Sequence, residues 1–487
     1  MLRKTQPPSG SATAHGVCLL LMKLHFLGAN RQVTGSRYCL EVAGRRVMVD
    51  CGMFQERSFQ PRNWDPLPLP PASIDAMLLT HVHIDHCGLI PRLVMQGFGK
   101  PIYATEPSVG LIDIMLRDAA EIQEEDIGYK LKRHQREGRK SPFPYEPLFT
   151  VEHVDQSVPL FQAVKYEQPI QVTPEVTARF FDAGHILGSA MIQVDATENG
   201  KTTRIVFSGD IGQQDKPIVR DPTLLNDADY IVMESTYGDR NHPHPGDTET
   251  QLAAAVNDAV SRRGNVVIPT FAVERAQELI YHFGRLVHAG RIPPLPIFLD
   301  SPMAVDVTAI YLKFHDYCDE ALLKMVQDQQ APFRYPNLTM VRTADESKKI
   351  NYLPPPAVIM ASSGMCNAGR IKHHLKHNIE KPEATILFVG HQGEGTLGRQ
   401  IVDGARRVRI HGQDFQVRAK ISQIYGFSGH ADHDGLMRWI THFQRPPRRV
   451  FLTHGEEPVA LKLADEVSQT LGYTTYVPHY QEVVELT

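Results

Sequence analysis

Residues 81–86, His81-Val82-His83-Ile84-Asp85-His86, constrain the fold of this chain more than any other stretch. The apolar-leaning run Ala76-Met77-Leu78-Leu79-Thr80 precedes them and reads as a buried strand. Leu89, Ile90, Pro91, Leu93 and Val94 follow and suit the first turns of a helix. Four metal-capable side chains therefore crowd one strand-to-helix loop. In an extended loop His81 and His83 share a face, because side chains at i and i+2 point the same way. Asp85 and His86 lie where the chain turns and reach a second point nearby. Imidazole nitrogens with a carboxylate oxygen make a zinc-type donor set. A single histidine is more often a satisfied surface or core residue; four donors in six positions at a strand end call for another explanation.

More donors stand at other strand ends. His185 closes Phe181-Asp182-Ala183-Gly184-His185, Asp210 closes Ile205-Val206-Phe207-Ser208-Gly209-Asp210, and His454 follows Val450-Phe451-Leu452-Thr453. Asp50 ends Arg46-Val47-Met48-Val49-Asp50. Each alone says little, since strands often end in polar residues. In this order and together they resemble the metallo-β-lactamase superfamily. Ile231-Val232-Met233-Glu234-Ser235-Thr236-Tyr237-Gly238 resembles motif A of its β-CASP nucleases, Gly426-Phe427-Ser428-Gly429-His430-Ala431-Asp432 resembles motif B, and the segment around His454 motif C. Pro269-Thr270-Phe271-Ala272-Val273, Asp300-Ser301-Pro302-Met303-Ala304, Ser362-Ser363-Gly364-Met365 and Gly395-Thr396-Leu397-Gly398-Arg399 are further matches. The resemblance spans residues 22–487 and is similar to RNA-processing members related to the nuclease subunit of the eukaryotic 3′-end cleavage complex and its bacterial relatives. Two departures, Glu274 where many relatives have Gly and Gly429 in motif B, are expected to touch no ligand.

The resemblance implies an α/β chain: a metallo-β-lactamase αββα sandwich with an inserted parallel α/β β-CASP domain. It implies two Zn2+ ions, one held by His81, His83 and His185, the other by Asp85, His86 and His454, with Asp210 bridging. Two dications acidify a bridging water and take up charge on a phosphate oxygen. Asp85 and Asp50 count among the catalytic residues; Asp50 is expected to fix the tautomer of a ligand histidine. His430 is expected to be the general acid, because its ordinary pKa suits proton delivery, with Glu234 as its orienting partner. The glycine-containing strand-to-helix turns at Ser362, Ser363 and Gly364, and at 393–396 with Arg399, are candidate phosphate sites.

Composition bounds the partners. The 487 residues suffice for two cores, and 42% hydrophobic with 22% charged residues is ordinary for a globular protein. A net charge of −4 offers no general attraction for nucleic acid, so an RNA substrate needs a local basic surface. Six cysteines form no C-x-x-C pair, which implies reduced thiols and a cytoplasmic protein; Cys87 reads as a small buried hydrophobe. No apolar run is long enough to cross a membrane. A homodimer is compatible with the sequence.

Four segments are expected: a disordered extension over 1–21, rich in Pro, Ser, Thr and Ala; the first part of the metallo-β-lactamase domain over 22–215; the β-CASP domain over 216–411; and the second part of the metallo-β-lactamase domain over 412–487. Apolar spacing over 106–137 predicts a helix, ending in the basic run Lys130, Lys132, Arg133, Arg136, Arg139 and Lys140, a solvated helix end or an RNA-contacting edge. The function implied is zinc-dependent hydrolysis of single-stranded RNA by a metal-bridging hydroxide. Cleavage is expected to be endonucleolytic, since little chain follows motif C. The alternatives are a 5′-to-3′ exoribonuclease, a small-molecule metallo-hydrolase, and an inactive RNA-binding scaffold. A di-iron oxidoreductase fits less well with His83 in place, and an inactive scaffold less well with all seven ligands present.

Overall fold

The computed structural model describes residues 21–138, 140, 144–242, 245–328, 330–390, 392, 393 and 395–487. The extension over 1–20, Arg139 and Glu394 lie outside the described residues, as does the side chain of Arg133.

Two seven-stranded sheets face each other. The first runs, edge to edge, Glu482–Glu485, Lys23–Gly28, Arg37–Val42, Arg45–Val49, Ala76–Leu78, Ile102–Thr105 and Phe161–Val164. The second runs Thr475–Tyr476, Arg449–Thr453, Tyr230–Glu234, Lys201–Phe207, Ala190–Glu198, Val176–Asp182 and Ile170–Thr173. In each sheet hairpin-linked antiparallel strands give way to parallel ones, at Arg45–Val49 in the first and Lys201–Phe207 in the second. Leu24, Phe26, Leu40 and Val47 from one sheet pack against Phe180, Ile192, Phe207 and Phe451 from the other.

The parallel strands are apolar on both faces because both are covered. Ile205 and Phe207 enter the core between the sheets, while Val206 joins the layer under Trp439 and Leu463. Tyr230 and Val232 face inward and Ile231 and Met233 outward in the same way. Helices cover the outer faces, completing the αββα sandwich. The long helix Glu106–Glu137 starts on the Thr105 side chain and ends at Gly138, whose φ of +63° a glycine adopts without strain.

The third sheet is wholly parallel, ordered Leu338–Val341, Ile297–Asp300, Val358–Ala361, Val266–Pro269, Thr385–Phe388 and Lys420–Gln423. It is the inserted domain, and its helices flank it on both faces. Sheet membership moves the boundaries expected at 215/216 and 411/412. Tyr230–Glu234 pairs with Lys201–Phe207 and Arg449–Thr453 in the sandwich, whereas Lys420–Gln423 pairs with Thr385–Phe388 in the insertion. The insertion therefore leaves the sandwich after Glu234 and returns after Gln423. Among the described residues no helix is long and apolar enough to cross a membrane, and five cysteines are buried and unpaired.

Candidate metal centre

The C-terminal ends of strands from both sheets converge. Leu78 leads to His81–His86, Asp182 to His185, Phe207 to Asp210 and Thr453 to His454. A strand end is where the backbone ladder stops, so a side chain there can turn toward a common point while the strand behind it stays fixed.

Asp210 sits in the middle. Its Oδ2 lies 3.4 Å from His81 Nε2 and 3.5 Å from His185 Nε2, and its Oδ1 lies 3.2 Å from His86 Nε2 and 3.5 Å from His454 Nε2. His83 Nδ1 completes the first set, 3.2 Å from His81 Nε2 and 3.1 Å from His185 Nε2. Asp85 completes the second, its Oδ2 3.4 Å from His454 Nε2. The donor atoms of His81, His83, His185 and Asp210 form one group, those of Asp85, His86 and His454 another. Asp210 and His454 also group with Glu234, a cluster the sequence did not suggest.

These residues fit divalent cations. Three imidazole nitrogens converge at His83, where a single ring proton satisfies one nitrogen pair but not both. Asp210 Oδ1 is buried and accepts no hydrogen bond. Burial pushes His81 down to about 3 and, against the pull of Asp85 and Asp210, His83 down to about 4, so both present lone pairs at neutral pH. Burial also opposes charge on His86, yet Asp210 and Asp50 outweigh it and raise that imidazole well above its usual range. The second donor set thus lies in a field that favours positive charge.

The ring nitrogens facing away from the centre are held in turn. His86 Nδ1 lies 2.7 Å from Asp50 Oδ2, and Asp50 accepts from both the amide and the hydroxyl of Thr80 at 2.8 Å. Asp50 thus lies against His86, one of the candidate metal ligands. Thr80 Oγ1 also lies 3.1 Å from His81 Nδ1. His185 Nδ1 donates to the carbonyl of Gly429 at 2.9 Å. Gly429 therefore does touch a ligand, contrary to the expectation above; a Cβ there would lie 3.1 Å from the His185 ring. His454 Nδ1 lies 3.0 Å from Thr236 Oγ1. Thr80, Thr236 and the Gly429 carbonyl escaped the sequence reading, although all three lie inside or beside quoted motifs.

His430 and Glu234 meet next to Asp210. His430 Nδ1 is 3.1 Å from Glu234 Oε2 and 3.9 Å from Asp210 Oδ2. Glu234 is fully buried and also accepts from the Ile211 amide and the Thr236 hydroxyl. Burial opposes charge on His430, but Glu234 and Asp210 prevail and push it up to about 9. The imidazolium is accordingly available at neutral pH, with Nδ1 held and Nε2 free to donate.

Glu274, the other departure, touches no ligand. Its φ of +64° is the conformation that favours glycine, and its buried carboxylate accepts from Tyr311 at 2.5 Å. Ser362, Ser363 and Gly364 form a turn at the end of Val358–Ala361. Ser362 Oγ bonds Ser301 Oγ at 3.0 Å, and Gly364 O accepts from Gln392 at 3.1 Å. Met365 O accepts from the Gly398 amide at 3.1 Å, which packs this turn on helix Leu397–Val402. Arg399, on that helix, pairs with Asp403 at 2.8 Å.

Three family models match. One for a metallo-beta-lactamase superfamily domain covers residues 39–231, one for a Beta-Casp domain covers 276–401, and one for a Zn-dependent metallo-hydrolase RNA specificity domain covers 414–478. The chain is 38% identical to Ribonuclease TTHA0252 of Thermus thermophilus over 91% of this chain and 95% of that protein. It is 31% identical to the transcription termination factor FttA of Methanosarcina mazei (94% of this chain, 71% of the relative). To an RNase J-like protein of Methanocaldococcus jannaschii it is 29% identical (94% and 98%). A crystal structure of a protein of unknown function from Enterococcus faecalis V583 superposes with a TM-score of 0.53 at 12% identity, covering 96% of this chain and all of that one; it bears on the fold alone.

Proposed function

The chain belongs to the metallo-β-lactamase superfamily, in its Beta-Casp branch, and from that premise we propose that it is a metal-dependent ribonuclease that cuts single-stranded RNA internally. The observation that carries this is Asp210 placed between two donor sets with the His430–Glu234 pair beside it. A small-molecule hydrolase would leave that pair without a task.

His81, His83 and His185 are proposed to hold one ion and Asp85, His86 and His454 the other, with Asp210 shared; zinc suits this nitrogen-rich set. When bound, the ions supply an activated water and take up charge on the phosphate. The remaining work falls to the chain. Asp50 and Thr80 keep His86 and His81 turned inward, and Thr236 and the Gly429 carbonyl do the same for His454 and His185. Glu234 holds His430 by Nδ1, so its Nε2 proton goes to the departing 3′ oxygen. Ser362, Ser363 and Gly364, with Arg399, are proposed to hold a neighbouring phosphate.

This chemistry leaves 3′-hydroxyl and 5′-phosphate ends, because the 2′-hydroxyl takes no part. The test is incubation with internally labelled and 5′-labelled single-stranded RNA carrying 5′-monophosphate or 5′-hydroxyl ends. Discrete internal fragments, whatever the 5′ end, are expected. Release of mononucleotides from the 5′ end would replace the internal mode with an exonuclease. Ends carrying 2′,3′-cyclic phosphate would exclude attack by water. Turnover of a thioester or β-lactam with RNA left intact would move the protein to the small-molecule hydrolases.

A further inference from the structure

A protein of net charge −4 that binds RNA must concentrate its positive charge somewhere. Helix Ile371–Asn378 does so on one face. Ile371, His374, Leu375 and Asn378 are buried, whereas His373, Lys376 and His377 are exposed and Lys372 is half-exposed. The buried side is pinned: His374 bonds Asp300 at 2.6 Å and Asn351 at 3.0 Å. The second bond sets Tyr352 beside the helix, its ring 6.5 Å from that of His377 and 83% exposed, more than any other large hydrophobic side chain described. On the other flank the hairpin turn between Arg407–Ile410 and Gln413–Gln416 brings the His411 ring to 4.5 Å from His373.

The two lysines of this face, Lys372 and Lys376, lack an acidic partner among the described residues. Among the described residues Lys372, Lys376 and His377 have no ion pair. The nearby acids are engaged elsewhere: Asp300 by Arg370 and His374, and Glu380 by the Gln416 amide. His411 Nε2 is buried without a hydrogen-bond partner. Burial first, then Lys372, His373 and Lys376, hold His411 down to about 4, so its ring stays neutral beside the two lysines. An exposed aromatic ring next to unpaired cations is the pairing that binds single strands, phosphates to the cations and a base to the ring. The helix begins just beyond the Ser362–Met365 turn, with the Ile371 amide donating to the Ser362 carbonyl, and at its far end the Ile379 carbonyl accepts from Arg418 and Ala419, which lead into the edge strand Lys420–Gln423.

We propose that Lys372, His373, Lys376, His377, Tyr352 and His411 form a second contact surface for single-stranded RNA, holding the strand beyond the point of cleavage. The proposal rests on RNA being the substrate. It is tested by fluorescence anisotropy with 5′-labelled oligouridylates of about 6 and 24 nucleotides in EDTA, which stops cleavage, comparing wild type with Lys372→Ala/Lys376→Ala and with Tyr352→Ala. Lys376 and Tyr352 are exposed, and Lys372 is half-exposed with its Nζ donating to the Asn367 carbonyl at 3.3 Å, so circular dichroism of each variant should match wild type. Wild type should bind the longer RNA more tightly. The double variant should lose about tenfold or more for the 24-mer and flatten the salt dependence by roughly 1.4 in log–log slope, two phosphate contacts at ~0.7 each for a single strand. Tyr352→Ala should weaken the 24-mer with little change in slope. The 6-mer, too short to leave the cleft, should keep its affinity. Unchanged 24-mer binding in the variants, equal losses for both lengths, or no length preference in wild type would each overturn the proposal. RNA left uncut by the metal-loaded wild type would overturn the proposed function instead, so the two failures are distinguishable.

Discussion

Replacing His430 by alanine separates proton delivery from metal binding. The side chain is 22% exposed and donates to no ligand residue; its backbone contacts, Ser428 Oγ to the amide and His242 to the carbonyl, survive truncation. Metal content should therefore stay at the wild-type value. The lost proton transfer should cost about 10²–10⁴-fold in the cleavage step, or ~3–5 kcal/mol at 1.36 kcal/mol per decade. The pH profile carries the sign. His430 acts as an acid only when protonated, and Glu234 and Asp210, outweighing burial, push it up to about 9. Bound dications would draw on the Asp210 charge and lower that value, so wild-type activity should fall as pH rises through the remaining His430 pKa, while the alanine variant should lack this descent. The assay is single-turnover cleavage of labelled RNA, with elemental analysis of the same preparation. A linkage with sulfur replacing the 3′-bridging oxygen leaves without a proton and should be cut by variant and wild type at similar rates. Wild-type rates from the variant on ordinary RNA, loss of metal with the imidazole, or failure of the sulfur substrate to rescue would refute the assignment.

Asp210→Ala should release both ions together, since one oxygen faces each histidine set; elemental analysis that finds one ion fully retained contradicts the bridge. Asp50→Asn should weaken metal affinity about 10–100-fold, as changes behind a ligand histidine do, measured by chelator competition. Phe451→Ala should cost about 3–5 kcal/mol in urea unfolding, because its ring is fully buried and packs 4.9 Å from Phe26.

The candidate donors were legible because His81, His185, Asp210 and His454 follow strand-like runs and His83, Asp85 and His86 crowd the loop beyond the first of these, a pattern that needs no knowledge of neighbours in space. What holds those donors was not. Thr236 and the Gly429 carbonyl are defined by contacts to residues far along the chain, Thr80 by its hold on Asp50, and threonines and carbonyls are too common to stand out. Which sheet receives the strands near the expected boundaries was hidden for a related reason. Tyr230–Glu234 reads as a buried parallel strand in whichever sheet receives it, and only its pairing with Lys201–Phe207 and Arg449–Thr453 decides. Lys420–Gln423 is an edge strand with one exposed and three half-buried residues, so it carries little of the apolar signature that marked the other strands of its sheet.

The chain crosses between sandwich and insertion twice, and both crossings pass the metal centre. Glu234 is the last residue of the strand before the outward crossing, and His430 lies on the return. Yet neither residue is left to the linkers: the Ala431 amide donates to the Ile211 carbonyl at 2.7 Å, the Ile211 amide donates to Glu234, and His430 bridges Gly212. Both partners are thus anchored on the sandwich, so a shift of the insertion would leave the 3.1 Å His430–Glu234 contact in place.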